Sequence, residues 1–142
     1  MRVSVAMRGR RVPSLATRLG RVARRLLRRL DLGETELSIL LVNDREMRAL
    51  NRRYRGIDRP TDVLAFAQRE GAGGTPDGLL GDVVISVDTA IRQAREVGES
   101  PGREVDRLLI HGLLHLLGYD HERSAAEARR MQRRERMLSS WL

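Results

Sequence analysis

The sequence predicts an α/β or α+β fold with about four strands in one mixed sheet and about five helices. Short apolar or alternating runs, typical of strands, take turns with longer stretches in which apolar residues recur every three or four positions, typical of helices. Glycine, proline and capping residues separate these segments. No repeat or linker divides the 142 residues, so we expect one domain over 1–142.

The first half of the chain supplies two strands and two helices. An alternating run at residues 3–7 predicts a short strand, and a proline followed by an apolar stripe predicts an amphipathic helix over 13–30. The apolar run at 36–43 predicts a second strand. We expect a helix over about 45–53, capped by the last asparagine of that strand or by the aspartate after it.

The second half of the chain continues this pattern. A short strand is predicted at 62–66, and the glycine-rich residues 70–78 predict a loop. The strongest strand pattern covers 79–88, and a helix of about ten residues follows it. A serine–proline pair then opens a heavily apolar helix, which we expect to be central, buried and ended by Gly118. The last helix, about 124–139, is charged on most sides.

The charge of the chain is concentrated at one end. All 27 basic side chains are arginines, and residues 1–30 contain ten of them and no acid, whereas the rest has 17 arginines and 19 acids. Clustered cations bind nucleic acid by releasing counterions, which favours a phosphate-binding surface over a merely solvated helix face. A membrane-surface helix is less favoured, because strands and helices follow without a break. The candidate RNA contacts are Arg21, Arg24, Arg25 and Arg28.

Composition excludes several classes of protein. The chain contains no cysteine, so disulfide scaffolds and thiolate metal sites are ruled out, and a bound metal must use His, Asp, Glu or water. No stretch approaches the roughly 18–20 apolar residues of a membrane span, and no secretory signal is visible. We therefore expect a cytoplasmic protein that does not associate with membranes.

The three histidines of the chain all lie in one segment, HGLLHLLGYDH. His111 and His115 are four residues apart on a predicted helix, so their imidazoles lie on one face. A continuous helix would point His121 elsewhere, but Gly118 can adopt the left-handed conformation that ends a helix and returns the chain. The spacing therefore predicts a metal site with three histidine ligands rather than three unrelated histidines.

Three neutral nitrogen ligands leave a fourth tetrahedral position for water, as in catalytic zinc sites, where the pKa of that water falls to about 7. Asp120 or Glu122 could orient the imidazoles, and the sequence does not choose between them. Zinc proteases with this spacing carry a glutamate general base directly after the first histidine. Gly112 occupies that position here, which disfavours peptide hydrolysis.

Three motifs, HGLLHLLGYDH, YRGIDRPTDVLAF and LLGDVVIS, closely resemble the YbeY family of bacterial rRNA maturation factors. These are described as single-strand-specific metallo-endoribonucleases that act in 16S rRNA 3′-end processing and ribosome quality control. The resemblance implies a zincin-like fold and one zinc ion per chain, held by His111, His115 and His121. It also implies that Arg55 takes part in activity, and a guanidinium suits this role because it binds phosphate bidentately.

We therefore predict a zinc-dependent endoribonuclease whose partners are an rRNA precursor, the small ribosomal subunit and its assembly factors. Attack by water and attack by the RNA's own 2′-hydroxyl both stay open. The alternatives are a ribosome-assembly factor with a structural zinc, which lacks an evident fourth ligand, and a zincin-like peptidase, which Gly112 disfavours. Four further polar residues near the motifs are expected to be structural: Thr61, Asp62, Asp82 and Ser86.

Overall fold

The computed structural model describes residues 2–68 and 78–142. The loop predicted at 70–78 lies outside the described residues except for Gly78. Within the described part of the chain, four strands and five helices follow one another, which confirms the predicted α+β class. In chain order they are β1 (Arg2–Arg8), α1 (Pro13–Arg29), β2 (Glu36–Val42), α2 (Asp44–Arg55), β3 (Val63–Ala67), β4 (Leu79–Ser86), α3 (Val87–Val97), α4 (Pro101–Leu116) and α5 (Ala125–Ser140).

The strands form a mixed sheet in the order β1-β2-β4-β3. β1, β2 and β4 are parallel, and β3 pairs antiparallel with β4 at one edge of the sheet. The registers align Val5 with Ile39, Ile39 with Val83 and Val83 with Ala65, so these four side chains share one face. In this order β1 and β3 are the two edge strands, at opposite sides of the sheet.

The main core lies on one face of this sheet, beneath α1 and α4. Leu37, Ile39 and Leu41 of β2 are fully buried there, against leucines of both helices. Successive side chains of a strand point to opposite faces, so a second and smaller cluster forms on the other side of the sheet under α2. Its buried members are Val42, Met47, Leu64 and Val84.

The stripe predicted for α1 is confirmed. The apolar positions that recur along the helix, including Leu19 and Leu26, are buried in the main core, while the arginines between them face outward. α1 has no acid in its first turn and two arginines in its last, an arrangement that suits the negative end of the helix dipole. The helix thus joins a packed inner face to a strongly basic outer face.

Capping residues set the helix boundaries. Asn43 rather than Asp44 caps α2, because its Oδ1 accepts from the backbone N of Glu46 at 2.9 Å. The strand predicted over 79–88 ends at Ser86 instead, because the Ser86 side chain caps α3 by accepting from the Thr89 backbone N at 3.3 Å. A local hydrogen bond here outweighs the strand propensity of the following valine.

None of the helices in the described ranges has both the length and the apolar character required to cross a lipid bilayer.

Candidate metal centre

The first two histidines lie on the central helix α4. His111 and His115 are one turn apart, and their ring centroids are 4.9 Å apart. α4 begins at Pro101 after the Ser100 cap, whose Oγ accepts from the Arg103 backbone N at 3.2 Å. Buried leucines hold the helix on the sheet, so both imidazoles lie half-buried beside the edge of the sheet formed by β3.

A glycine turn brings the third histidine back to the first two. Gly118 has a φ of 97°, its N–H donates to the His115 carbonyl at 3.0 Å, and the Tyr119 N–H donates to the Leu114 carbonyl at 3.0 Å. These two bonds form the Schellman arrangement that ends a helix. His121 then lies with its ring centroid 5.2 Å from that of His111 and 5.4 Å from that of His115. The predicted reversal of the chain is confirmed.

The geometry and the chemistry of the three imidazoles fit a divalent metal that prefers nitrogen. One ring nitrogen from each of His111, His115 and His121 lies within 4.8 Å of the others. Nitrogens that share a zinc ion at about 2.0–2.1 Å lie roughly 3.4 Å apart, so small ring movements suffice. Burial, together with the neighbouring His111 and His121, lowers the pKa of His115 below its usual value, which favours the neutral ligand form.

The three histidines open into a cleft of about 490 Å³. Residues of β3 form one wall, and Asp120 and Glu122 lie near the third histidine. In the portions of the chain covered by the structure, the cluster of possible ligands consists of the three histidines alone. The centre therefore has the composition of an open, three-ligand site.

An acid on α5 approaches the first histidine. Glu135 Oε1 lies 3.5 Å from His111 Nδ1, whereas Glu122 Oε1 lies 3.9 Å from His121 Nε2. The sequence suggested Asp120 or Glu122 for the orienting role, and reasoning from the sequence missed Glu135. Asp120 instead accepts from the Glu122 backbone N–H at 2.8 Å, and this bond lowers the pKa of Asp120 below its usual range. The local sequence does not indicate this role for Glu135, because Glu135 comes near His111 only when α5 packs on α4.

Arg55 reaches the same cleft from a different element. It is the last residue of α2, Gly56 ends the helix with a φ of 72°, and the Arg55 side chain lines the cleft with the histidines. Within residues 2–68 and 78–142 no acid pairs with its guanidinium, whereas Arg48 of the same helix is held by Asp58 at 2.9 Å. Arg55 is therefore free to meet an anion at the mouth of the cleft.

Gly112 has a packing role that the sequence did not reveal. A Cβ atom at this position would lie 2.7 Å from Val83 Cγ1 and 3.3 Å from Val63 Cγ2. α4 thus lies so close to the sheet that any side chain after His111 would displace β-branched residues on two strands. A glutamate at this position, as in zinc proteases, does not fit without such a shift.

The four polar residues expected to be structural divide into two pairs. Thr61 and Asp62 both line the cleft, and Asp62 Oδ1 also accepts from the Val63 backbone N at 2.8 Å. Asp82 accepts from Gln68 at 2.9 Å, and the buried Ser86 caps α3, so both of these are held in structural bonds. The sequence gives no sign that the first pair lies at the cleft.

The basic face of α1 lies away from the cleft. Arg21, Arg24, Arg25 and Arg28 are exposed on a helix that packs against β1 and α4, and none of them lines the cleft. They stay candidate RNA contacts, for parts of the RNA that lie outside the cleft.

Taken together, a mixed sheet under a two-histidine helix, with a third histidine returned by a glycine turn, defines an α+β protein with an open three-histidine centre. The family model for Endoribonuclease YbeY matches residues 10–142. The chain belongs to that family.

Similar proteins cover most of this chain. An Endoribonuclease YbeY from Anaeromyxobacter sp. is 56% identical over 126 residues, which are 89% of this chain but 64% of that protein. One from Geobacter metallireducens is 49% identical over 140 residues, 97% of this chain and 93% of that protein. The solution structure of TM1509 from Thermotoga maritima superposes with a TM-score of 0.68 at 27% identity, over 96% of this chain and 87% of that one.

Proposed function

We propose that this chain is a single-strand-specific, zinc-dependent endoribonuclease, and that residues 1–142 form one metal-dependent hydrolase domain. The observation that carries the proposal is the convergence of three imidazoles on an open cleft whose rim holds an unpaired arginine. Membership of the Endoribonuclease YbeY family supports it. The net charge of +8 also suits a nucleic-acid substrate.

His111, His115 and His121 would hold one zinc ion per chain. A zinc ion bound by three imidazoles supplies Lewis acidity and lowers the pKa of a water molecule to about 7. The half-buried positions of His111 and His115 keep both rings in place before the metal arrives, which reduces the ordering that binding requires. Glu135 would hold the His111 ring by accepting from Nδ1.

Arg55 would bind the scissile phosphate. Its guanidinium can donate two parallel hydrogen bonds to phosphate oxygens and can stabilise charge that develops there during cleavage. Asp62, Asp120 and Glu122 also line the cleft, and their carboxylates repel a phosphodiester. The RNA backbone is therefore expected to pass on the Arg55 side of the histidines, with its bases free of these acids.

The biological substrate we propose is an rRNA precursor, in 16S rRNA 3′-end maturation and ribosome quality control. The small ribosomal subunit and its assembly factors are the proposed partners, in the cytoplasm. The arginines on the outer face of α1 could hold backbone that flanks the cleaved bond, since that face carries no acid. Among the described residues that line the cleft, Arg55 is the one arginine, so much of the positioning of RNA is left to contacts outside the cleft.

The other two functions fit less well. A ribosome-assembly factor with a structural zinc needs a fourth protein ligand, and the described cluster offers three. A peptidase needs a general base after His111, where Gly112 supplies none and any larger residue would displace Val83.

The metal and the reaction can be tested together. Purified protein and a His115→Ala variant are analysed for zinc and incubated with single-stranded RNA, duplex RNA and casein. We expect about one zinc per chain and internal cleavage of single-stranded RNA for the unmodified protein, and loss of both in the variant.

Equal cleavage by the two proteins would mean that a contaminating nuclease is responsible, and cleavage of casein would favour the peptidase. A 2′,3′-cyclic phosphate on the products would identify the RNA's own 2′-hydroxyl as the attacking group.

The role of Arg55 is tested by Arg55→Ala and Arg55→Lys, with Arg48→Ala as the matched control from the same helix. We expect the alanine variant to cleave single-stranded RNA on the order of a hundredfold more slowly, with its zinc content unchanged. Lysine should restore part of the rate, because it keeps the charge but not the bidentate geometry. Arg48 is exposed and already paired with Asp58, so its variant should cleave normally. Loss of zinc in Arg55→Ala would mean that the residue supports the fold instead.

A further inference from the structure

An aromatic side chain lies exposed beside the cleft. The chain has one Phe, one Trp and two Tyr, and Trp141 and Tyr119 pack against the main core. Tyr54, in the last turn of α2, is 56% exposed, and it is the one aromatic residue among the large exposed apolar residues of the described chain. Exposing a ring in a chain with so few aromatics suggests a binding role.

The Tyr54 ring is held in place from below. Phe66 of β3 meets it at a centroid distance of 5.1 Å and an interplanar angle of 61°, which is the edge-to-face geometry that aromatic pairs prefer. Phe66 itself is half-buried against the second apolar cluster. The Tyr54 ring is thus packed against Phe66 and otherwise exposed, so it can serve as a platform.

Tyr54 and Phe66 do not line the cleft themselves, but each is next in the chain to a residue that does. Arg55, the next residue in the chain, lines the cleft with the histidines, and Leu64 and Ala65, just before Phe66, line it too. Phe66 lies on the face of the sheet that α2 covers, opposite to α4, and β3 is the edge strand. A polymer that leaves the cleft would therefore reach the Tyr54–Phe66 pair by crossing this edge. A ligand group on Tyr54 would therefore be adjacent to a phosphate held by Arg55.

The surroundings of the ring select an anionic polymer. Arg52 and Arg53 precede Tyr54 on the exposed side of α2, and the Arg53 guanidinium lies 5.3 Å from the Tyr54 ring centroid. In the ranges that the structure describes, neither of these arginines forms an ion pair within 4.0 Å, although the charge of Arg52 helps to lower the pKa of Asp58. Both guanidinium groups therefore keep hydrogen-bond donors that can contact a phosphate. An apolar protein partner would contact the Tyr54 ring but not the arginines, and an acidic partner would contact the arginines but not the ring.

We propose that Tyr54 is a nucleobase-binding subsite, which stacks an unpaired base of the RNA next to the phosphate held by Arg55, while Arg52 and Arg53 contact the backbone. This rests on the proposed endoribonuclease function. A base inside a duplex presents no free face, so the subsite also accounts for a preference for single strands. Stacking on an aromatic ring tolerates every base, and the subsite would bind without sequence specificity.

Binding measurements can test the subsite apart from cleavage. In a His115→Ala background, where the RNA stays intact, anisotropy of labelled oligonucleotides is compared for Tyr54, Tyr54→Phe and Tyr54→Ala. We expect the alanine change to weaken binding of single-stranded RNA about fivefold or more, and the phenylalanine change to have less than about a twofold effect. An abasic nucleotide at one position should weaken binding to Tyr54 by the same factor and have no further effect on the alanine variant.

Val97→Ala is the matched control, since Val97 is 69% exposed on α3 and should not alter RNA binding. Thermal unfolding checks that Tyr54→Ala is folded. The subsite is wrong if the folded alanine variant binds like its parent, or if the abasic oligonucleotide loses affinity equally for both. If RNA cleavage requires His115 but RNA binding does not require Tyr54, the proposed nuclease function is retained and the subsite is rejected. If RNA binding requires Tyr54 but the unmodified protein cleaves no RNA, the subsite is retained and the nuclease function is rejected.

Discussion

The histidine centre depends on which ring nitrogen of each imidazole faces the ion. A ligating histidine usually donates its other N–H to a carboxylate or carbonyl, which fixes the orientation of the ring. Glu135 Oε1 lies 3.5 Å from His111 Nδ1 and is held on α5, so it would leave Nε2 of His111 as the metal ligand. The carboxylate would then act on a bound zinc ion through the imidazole rather than directly.

Glu135→Ala is expected to weaken zinc binding about 10- to 100-fold, because His111 loses its orienting acceptor. Glu135→Gln keeps an acceptor oxygen and should have a smaller effect. Zinc dissociation constants measured by competition with a chelator report the change. Glu127→Gln, an acid on the same helix near Arg123 at 3.7 Å, is the control. If all three proteins bind zinc with equal affinity, Glu135 has no role in the centre.

A second prediction at the residue scale concerns the packing at Gly112. Gly112→Ala would bring a Cβ to 2.7 Å from Val83 Cγ1, which overpacks the core. The cost exceeds the gain of about 1 kcal/mol in helix propensity, so we expect the free energy of unfolding to fall by about 1–2 kcal/mol. Urea unfolding measures it, and Gly33→Ala, with no atom within 4 Å, is the control. A more stable Gly112→Ala protein would mean that the helix is less closely packed.

Helices α2 and α3 are joined at their N-termini by one carboxylate. Asp44 of α2 accepts from Ser86 Oγ at 2.6 Å, from Thr89 Oγ1 at 2.7 Å and from Arg92 Nη1 at 2.7 Å. The Asp44 backbone N in turn donates to Asp88 at 2.8 Å. Burial alone would raise the pKa of Asp44, but the hydrogen bonds from Ser86, Thr89 and Arg92 outweigh it and hold that pKa below the usual value.

This depressed pKa gives stability a defined pH dependence. The charged form of Asp44 stabilises the fold above the ordinary aspartate pKa of about 3.9, and that contribution is lost as the pH falls through the lower folded-state pKa. Asp44→Asn is expected to lower the free energy of unfolding by about 1–2 kcal/mol at pH 7, and the difference from the unmodified protein should shrink below about pH 4. Urea unfolding across this range measures it.

The control for that series is Asp58→Asn, because Asp58 pairs with Arg48 on the exposed surface, where screening by solvent leaves little net effect. A constant difference between Asp44 and its asparagine variant from pH 7 to pH 3 would contradict the assigned pKa shift.

At the scale of the whole molecule, two basic surfaces are candidates for RNA binding. One is the outer face of α1, at the β1 side of the sheet, and the other is the exposed side of α2 near the cleft. Most of the salt dependence of binding should then come from the surface with more unpaired arginines and no acids, which is α1.

Replacing Arg21, Arg24, Arg25 and Arg28 with glutamine is expected to reduce the slope of log affinity for single-stranded RNA against log salt by up to about 3, since each released contact contributes about 0.7. Anisotropy titrations from low to high salt measure the slope. The control removes the same charge from α5, where the exposed arginines lie among glutamates; its members are Arg129, Arg130, Arg133 and Arg136. Equal slopes for both variants would show that net charge, and not the α1 surface, governs binding.

Local patterns in the sequence predicted the order of strands and helices, the buried stripe of α1 and the convergence of His111, His115 and His121. These features were predictable because helix periodicity, caps and the left-handed glycine act over a few residues. The bounds of the strands were predicted less well: the runs at 36–43 and 79–88 each extend past the true end of the strand, where Asn43 and Ser86 cap the next helix.

Contacts between distant segments had to wait for the tertiary structure. Glu135 reaches His111 only because α5 folds onto α4, and Gly112 is required only because α4 lies against β4. Tyr54 meets Phe66 only because the last turn of α2 reaches the edge strand. The sequence by itself determined which residues could bind a metal and in what local geometry. The packing of elements remote in the chain decided what surrounds that site, since such contacts have no short-range periodicity to reveal them.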